Sequence, residues 1–356
     1  MRRLAVAVLL ALLAVVPASA EWRVESKDGE TSIKFGFLVQ PWAQAVETPD
    51  AANWSYNMFF RRLRLIAGGQ VTKNFSFFVE TDSPFLGRAN LDGHKNTGDI
   101  FIQDLVLTYS TGDTFKVDVG LILVPTCYNC NTSAATLLPV DYSVFGFLSS
   151  AATDARVGRD YGAQARGYVF DRSLEYRAGV FQGYRGEQST EPLRLAGRLS
   201  YHFFEKQTGL FYTGTSLGQK KILTVGASLD AQSDYRTYAF DLFYDQPVRG
   251  GDGVTFQVDW IRYNGGSFFP QGLPPQNALI LEAGYYFQGP RIGLFGQWSG
   301  RDFTSATSLD EGKLQAGVAW YWMGRNLSLK LGLGRLSRDA APDRNELILQ
   351  LQTFMF

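Results

Sequence analysis

Apolar side chains alternate with polar or small ones through most of the chain beyond residue 30. Positions 33, 35, 37 and 39 are Ile, Phe, Phe and Val, whereas Lys34 and Gln40 belong to the other set. The same alternation recurs in 115–123, 254–260 and 327–333. A period of two places successive side chains on opposite faces of a β-strand. The pattern therefore predicts an all-β chain whose strands have one apolar and one polar face.

Strand length separates the two architectures that share this alternation. In a soluble sandwich the apolar faces meet in a dry core, and strands usually run for about five or six residues. Segments such as 99–110 and 253–264 are about twice as long, which is the length that a tilted strand needs to cross a bilayer. Aromatic residues gather near strand ends, as at 201–204 and 320–322, like the interfacial girdles of membrane barrels. We therefore predict a transmembrane antiparallel β-barrel.

The predicted strands number sixteen. They are 32–42, 57–69, 75–82, 99–110, 115–123, 157–169, 174–182, 192–204, 220–230, 234–245, 253–264, 278–288, 291–301, 312–322, 326–336 and 344–356. A single-chain bacterial barrel has an even number of strands, with short turns facing the periplasm and longer loops outside. The segment 210–217 resembles one more short strand, so eighteen strands stay open as an alternative. With sixteen strands, 205–219 is a long periplasmic connection.

The first twenty residues have the pattern of a secretory leader. Two arginines precede the apolar stretch 4–16, and an Ala-Ser-Ala sequence ends at residue 20, as a signal peptidase requires. We predict a signal peptide over 1–20 and a barrel over 21–356, located in the bacterial outer membrane and in contact with its lipid. After the leader, the sequence has no run of ~18 apolar residues that would form a membrane-spanning helix.

Composition excludes several functions. Of 356 residues, 34 are basic and 34 are acidic, so the chain lacks the basic excess of a nucleic-acid-binding protein. Charged residues make up 19% of the chain against about 25% in soluble domains, which is expected where much of the surface faces lipid. Two cysteines and two histidines exclude a disulfide scaffold or a multi-histidine metal site, and we expect neither metal nor cofactor. The two histidines are His94, in a predicted loop, and His202, near a predicted strand end, so a histidine-dependent barrel enzyme is disfavoured.

Five segments carry a family resemblance that extends over most of the chain after the leader. They are Phe60-Arg61-Arg62-Leu63-Arg64-Leu65, Asn74-Phe75-Ser76, Gly158-Arg159-Asp160-Tyr161-Gly162, the stretch 174–183, and Ala196-Gly197-Arg198. In order and spacing they resemble the bacterial outer-membrane porins related to phosphate-selective porins O and P. The resemblance implies a sixteen-stranded, homotrimeric channel with basic side chains along an anion path. It also implies that the third external loop folds inward and narrows the pore.

The segment 124–156 corresponds to that third loop in position and size. It follows the fifth predicted strand, and its runs 137–140 and 144–148 are too apolar for a disordered external tip. We therefore predict that it folds into the lumen. The residues expected at the constriction are Asp141, Tyr142, Asp154 and Arg156. Cys127 and Cys130 are predicted to form a disulfide in the oxidising exterior, since a metal site needs further ligands and a redox motif needs a βαβ context.

Strand parity places charges of both signs toward the lumen. The predicted pore-lining residues are Lys34, Arg62, Arg64, Asp104, Lys116, Asp118, Arg166, Arg194 and Arg198. For most of them, lipid exclusion is a sufficient explanation, since a charge facing lipid at midplane costs about 2–4 kcal/mol. Arg62 and Arg64 differ, because two cations on one face produce a local positive field that a narrow pore screens weakly. A bulge near Arg61 would change which arginine points inward.

The sequence departs from the phosphate-selective pattern after Gly120. It continues Leu-Ile-Leu-Val-Pro over 121–125, and the loop offers few cations before Arg156. A ladder of Arg and Lys contacts that replaces the hydration of phosphate is therefore incomplete. We expect a general porin for passive diffusion of small hydrophilic solutes, with a mild preference for anions. A barrel that serves as a sheath or binding partner for another exported protein is the alternative.

Overall fold

Sixteen antiparallel strands close into a barrel, which confirms the predicted fold class and strand number. The computed structural model describes residues 22–90, 92–153, 155–269, 272–305 and 309–356. The predicted signal peptide, 1–20, and Asp154 of the predicted constriction lie outside the described residues.

Seventeen strands and a few short helices make up the described chain. The strands are β1 Trp22–Glu25, β2 Ser32–Glu47, β3 Trp54–Thr72, β4 Phe75–Asp82, β5 Phe101–Ser110, β6 Lys116–Leu123, β7 Arg159–Val169, β8 Leu174–Phe181, β9 Arg194–His202, β10 Ile222–Gln232, β11 Tyr235–Pro247, β12 Gly253–Asn264, β13 Gln276–Phe287, β14 Ile292–Phe303, β15 Glu311–Arg325, β16 Leu327–Arg338 and β17 Arg344–Met355. The helical turns are Tyr128–Asn131, Ala134–Thr136, Val144–Phe147, Leu148–Ala152 and Arg249–Gly251. None of the described helices is long and apolar enough to span a membrane.

The ring closes where β17 pairs with β2. Strands β2 to β17 each pair with their neighbours in chain order, and Leu347 of β17 lies opposite Ala45 of β2. Gly36 permits this approach, because a Cβ atom there would lie 2.0 Å from the carbonyl oxygen of Met355. The short β1 pairs with the first residues of β2 and extends the wall. The eighteen-strand alternative is wrong, because 210–217 forms one isolated bridge rather than a strand.

Alternation decides which environment each side chain meets. On β5, Leu107 faces outward and is 56% exposed, whereas its neighbour Thr108 faces inward and is 9% exposed. Opposite Thr108 on β6, Asp118 is fully buried on the inner face. Large apolar side chains are exposed on other strands as well, including Leu199 on β9, Phe240 on β11 and Leu333 on β16, whereas water-soluble proteins rarely expose large apolar patches. The natural solvent of this outer face is hydrocarbon.

Connection length differs between the two ends of the barrel. The end that holds the start of β2 and the end of β17 is called the terminal end, and the opposite end is called the loop end. At the terminal end β3 and β4 are joined across 73–74, whereas β4 and β5 at the loop end are joined across 83–100. The longest loop-end connection is 124–158, here called the long loop. One terminal-end connection, 203–221, is also long and is called the long turn.

Candidate constriction of the barrel

A bulge in β3 turns an additional arginine toward the interior. Gln40 of β2 pairs with Arg62, but the next residue, Pro41, pairs with Phe60, so Arg61 is the extra residue. Pro41 has no backbone N–H to donate, which suits an interrupted ladder. Arg62 keeps the inward orientation expected from parity, and its side chain is 2% exposed. The bulge therefore adds Arg61 to the inner face and leaves Arg62 in place.

Asp141 of the long loop binds both of these arginines. Nε of Arg61 lies 2.6 Å from Oδ2 of Asp141, and Nη2 of Arg62 donates to Oδ1. Burial alone would raise the pKa of Asp141, but the two guanidinium groups hold it well below its usual range. The carboxylate is therefore ionised at neutral pH. Tyr142 lies beside it, with the guanidinium carbon of Arg62 5.2 Å from its ring centroid.

Arg64 is paired on the barrel wall itself. Its Nη1 donates to Oε1 of Glu80 at 2.6 Å, and its Nε donates to Oδ2 of Asp82 at 2.9 Å. Both carboxylates belong to the neighbouring strand β4. Together with Asp141 they offset the positive field that the sequence predicts for the arginines of β3.

The other predicted pore-lining charges also have partners. The buried ion pairs are Arg159 with Asp104, Arg166 with Asp118, Arg177 with Glu175, Arg194 with Asp160 and Asp230, and Arg198 with Asp241. Nearer the terminal end, Nζ of Lys116 lies 3.2 Å from Oδ1 of Asp113. Nζ of Lys34 lies 5.0 Å from the ring centroid of Phe356. Because opposite charges are paired along it, the inner wall has strong local dipoles and a small net electrostatic potential.

Polar contacts hold the long loop against the far wall of the barrel. Nζ of Lys330 in β16 donates to the carbonyl oxygens of Leu137 and Pro139 at 2.5 and 2.8 Å. Parity predicts that Lys330 points inward, but only the fold reveals that its partners are backbone carbonyls of the loop. Further along, Leu138 and Val140 pack against inward-facing aromatic side chains of β2 and β14. The loop therefore contacts the inner face of the wall on several sides.

The short helix Tyr128–Asn131 attaches the start of the long loop to β11, β12 and β13. The N–H groups of Tyr128 and Asn129 donate to carboxylate oxygens of Asp241 and Asp259 at 3.2 and 2.9 Å. The side-chain amide of Asn129 donates to Oε1 of Glu282 at 2.9 Å. Together with the side-chain amides of Gln257 and Gln297, these contacts satisfy Asp259 and Glu282, because a buried carboxylate without hydrogen-bond donors is costly.

A disulfide joins Cys127, the N-cap residue of this helix, to Cys130 within it. Both side chains are buried, and the N–H of Cys130 donates to Sγ of Cys127 at 3.0 Å. Among the described residues, no group of three or more His, Cys, Asp or Glu side chains is arranged to hold a metal ion.

Arg156 lies apart from Asp141 and Tyr142. Its guanidinium carbon is 3.8 Å from the ring centroid of Phe101, and with Arg159 it lines a cavity of about 490 Å³ between the long loop and the loop that follows β8. Of the predicted constriction residues, the structure brings together Asp141 and Tyr142 with Arg62. It places Arg156 outside this group, beside Phe101.

The long turn contains a Gly-x-Ser-x-Gly spacing at 214–218, the spacing of a hydrolase nucleophile elbow. Its Ser216 is buried and donates from Oγ to Oδ1 of Asp245 at 3.0 Å. The ring nitrogens of the buried His202 contact Glu175 and Thr224 instead. The segment also lacks the strand-to-helix context of such an elbow, so the structure assembles no serine–histidine pair here.

Solved structures with a similar fold include an anion-selective porin and another outer-membrane protein. The anion-selective porin from Comamonas acidovorans has a TM-score of 0.64 and 13% identity, over 92% of this chain and 100% of that one. OmpF of Salmonella typhi in complex with daunomycin has a TM-score of 0.62 and 10% identity, with the same coverage. OmpT of Vibrio cholerae, folded in vitro and in its trimer form, has a TM-score of 0.55 and 10% identity, again with that coverage. At these identities the likeness concerns the fold. No protein-family model and no curated protein match the chain.

Proposed function

We propose that this protein is an outer-membrane porin through which small hydrophilic solutes diffuse passively. The observation that carries the proposal is the pair of salt bridges from Asp141 to Arg61 and Arg62, inside a barrel whose outer face is apolar. A loop carboxylate opposite wall cations forms a charged narrowing, which selects solutes by size and charge. The fold shared with outer-membrane porins supports the same assignment.

The orientation follows from the connections. In bacterial outer-membrane barrels the short turns face the periplasm and the longer loops face outward. The terminal end is then periplasmic, so the long loop enters the barrel from outside and the long turn enters it from the periplasm. In this proposal the long loop contributes to the size limit of the passage.

Charge selectivity is the finer part of the proposal. Three guanidinium groups, on Arg61, Arg62 and Arg64, face three carboxylates, on Asp141, Glu80 and Asp82. The balance leaves little physical basis for a strong anion preference. A mild anion preference and membership of the phosphate-selective porin O and P family both stay predictions.

The proposal is tested by planar-bilayer recording in a salt gradient. We expect the purified protein to produce discrete conductance steps. Asp141→Asn leaves three guanidinium groups facing two carboxylates. An excess potential of the order of kT raises anion partitioning and lowers cation partitioning about threefold each, so the anion-to-cation permeability ratio should change about sevenfold in favour of anions. Asp50→Asn, in the exposed loop between β2 and β3, is the control and should keep the original reversal potential.

The two possible failures of this experiment are distinct. The absence of conductance steps from the folded wild-type protein would contradict a diffusion channel. Conductance steps with identical reversal potentials in the wild-type protein and Asp141→Asn would be consistent with a diffusion channel. They would contradict a contribution of Asp141 to its charge selectivity.

A homotrimer is part of the proposal. The family resemblance implies it, and the similar OmpT structure from Vibrio cholerae is described in a trimer form. We expect detergent-extracted protein to show three times the mass of one chain by native mass spectrometry. A single-chain mass under conditions that preserve the fold would contradict the trimer and leave the channel proposal intact.

A further inference from the structure

The long turn runs through the interior of the barrel rather than over its rim. The ring of Phe211 lies 5.6 Å from the ring of Phe78, which faces inward from β4. Leu217, six residues later, packs against the buried Tyr321 of β15. Because β4 and β15 are separated by several strands in either direction around the ring, the turn extends across the lumen near its periplasmic end.

Tyr212, in the middle of the long turn, is fixed by charged groups of the wall. Its Oη donates to Oε2 of Glu175 at 2.9 Å. The guanidinium carbons of Arg177 and Arg198 lie 4.9 and 5.4 Å from its ring centroid. The side chain is 1% exposed. Cation–π contacts are strong when desolvated, so the wall holds this ring in one position.

Tyr212 also joins the long turn to the long loop. Its ring stacks on that of Tyr128 at 4.8 Å, and Tyr128 stacks on Phe243 of β11 at 4.3 Å. The N–H of Ser133 donates to the carbonyl oxygen of Tyr212, and the N–H of Tyr212 donates to that of Asn131, both at 2.9 Å. A segment from outside and a segment from the periplasm are therefore bonded together within the barrel.

Buried side chains strengthen this junction. Nε2 of Gln207 donates to Oη of Tyr128 at 2.7 Å, and that hydroxyl donates to the carbonyl oxygen of Thr213 at 2.8 Å. The N–H of Gly214 donates to Oγ1 of Thr136 at 2.9 Å. Buried polar groups that satisfy one another are costly to separate.

We infer that the long turn is a second size-determining element of the passage, with Tyr212 as its central residue. A solute that passes the narrowing at Asp141 must then pass the junction of the turn with the helix Tyr128–Asn131. The inference rests on the proposed function, since it concerns what limits the same diffusion path. The sequence predicts that the external loop alone narrows the pore. In this inference the long turn, a periplasmic connection, also limits the size of the solutes that pass.

The hairpin geometry provides a clean way to remove the turn. The N–H of Glu205 donates to the carbonyl oxygen of Lys221 at 2.9 Å, so antiparallel pairing continues past β9 and β10. Residues 206–220 are replaced with Asn-Gly, a dipeptide that closes two-residue hairpins. We expect single-channel conductance to rise about twofold or more, because pore diameter governs the flow of ions.

Tyr212→Ala is the milder variant and keeps the test valid if the turn replacement does not fold. It should raise conductance by a smaller factor. Phe204→Ala is the matched control, since Phe204 lies in the same connection but is exposed and should leave conductance unchanged. Circular dichroism verifies that each variant is folded.

The outcomes separate this inference from the channel itself. Unchanged conductance in folded Tyr212→Ala and in the turn replacement, beside a conducting wild-type protein, would overturn the inference and leave the porin proposal standing. Silence of all folded variants would remove the porin proposal and the inference with it.

Discussion

Arg198→Ala is expected to lower the free energy of unfolding by about 3–5 kcal/mol, the usual cost of leaving a buried charge without its partner. Nη1 and Nη2 of Arg198 donate to the two carboxylate oxygens of Asp241 at 2.6 and 2.7 Å, and both side chains are buried. The same carboxylate accepts the N–H of Tyr128 from the long loop. Removal of the guanidinium therefore weakens the wall and the attachment of the loop together.

Chemical unfolding in lipid vesicles, followed by tryptophan fluorescence, measures this effect. A double variant, Arg198→Ala with Asp241→Ala, should recover part of the loss, because it removes the isolated charge. Arg335→Ala is the matched control, since Arg335 and Asp343 form an ion pair with side chains 63% and 39% exposed, and such pairs contribute little. Equal losses for Arg198→Ala and Arg335→Ala would mean that water reaches the inner wall and screens its ion pairs.

Leu331→Arg is expected to cost about 2–4 kcal/mol, the penalty for a cation that faces lipid at the bilayer midplane. Leu331 lies in the middle of β16, opposite Val318 on one neighbouring strand and Leu349 on the other. All three side chains are exposed on the outer face of the barrel. A guanidinium at this position has no water and no carboxylate within the apolar row.

A second substitution on the same strand isolates the effect of depth. Ser337 shares the outward face of β16 with Leu331 and lies beyond Arg335, toward the loop end. Ser337→Arg should cost only about 0–1 kcal/mol, because charges near the interface reach water. The two variants are compared by the same unfolding measurement in vesicles. Similar losses at both positions would contradict a lipid-facing β16.

The barrel and the side of the charges within regular strands were predictable from the sequence, because both depend on local alternation. Hydrocarbon excludes charge, so Asp118 and Arg198 could only point inward once the strands were recognised as membrane-spanning. The count of sixteen followed from the same pattern, although the even strand number of bacterial barrels also permits eighteen. These inferences do not depend on which strands face each other across the lumen.

The partners of the charges were not predictable, because they depend on register and on the path of the loops. Asp82 neutralises Arg64 from the next strand, and Asp141 reaches Arg62 from a loop about eighty residues away. Pro41 was a usable signal for the bulge that turns Arg61 inward, since proline interrupts a ladder. The segment 210–217 resembles a strand because it too buries apolar side chains, in this case inside the lumen rather than against lipid.

Because β17 pairs with β2, the barrel closes only when its first and last strands come together. Trp42 donates from Nε1 to Oε1 of Gln350 across this strand pair at 2.6 Å, although 308 positions separate them in sequence. Contacts between such distant residues form slowly. Until they form, the first and last barrel strands have unpaired edges, and the leucine and phenylalanine rows have no bilayer around them. The newly exported polypeptide therefore depends on a carrier or on a lipid surface during its transit, and in the test tube it needs detergent or lipid in order to refold.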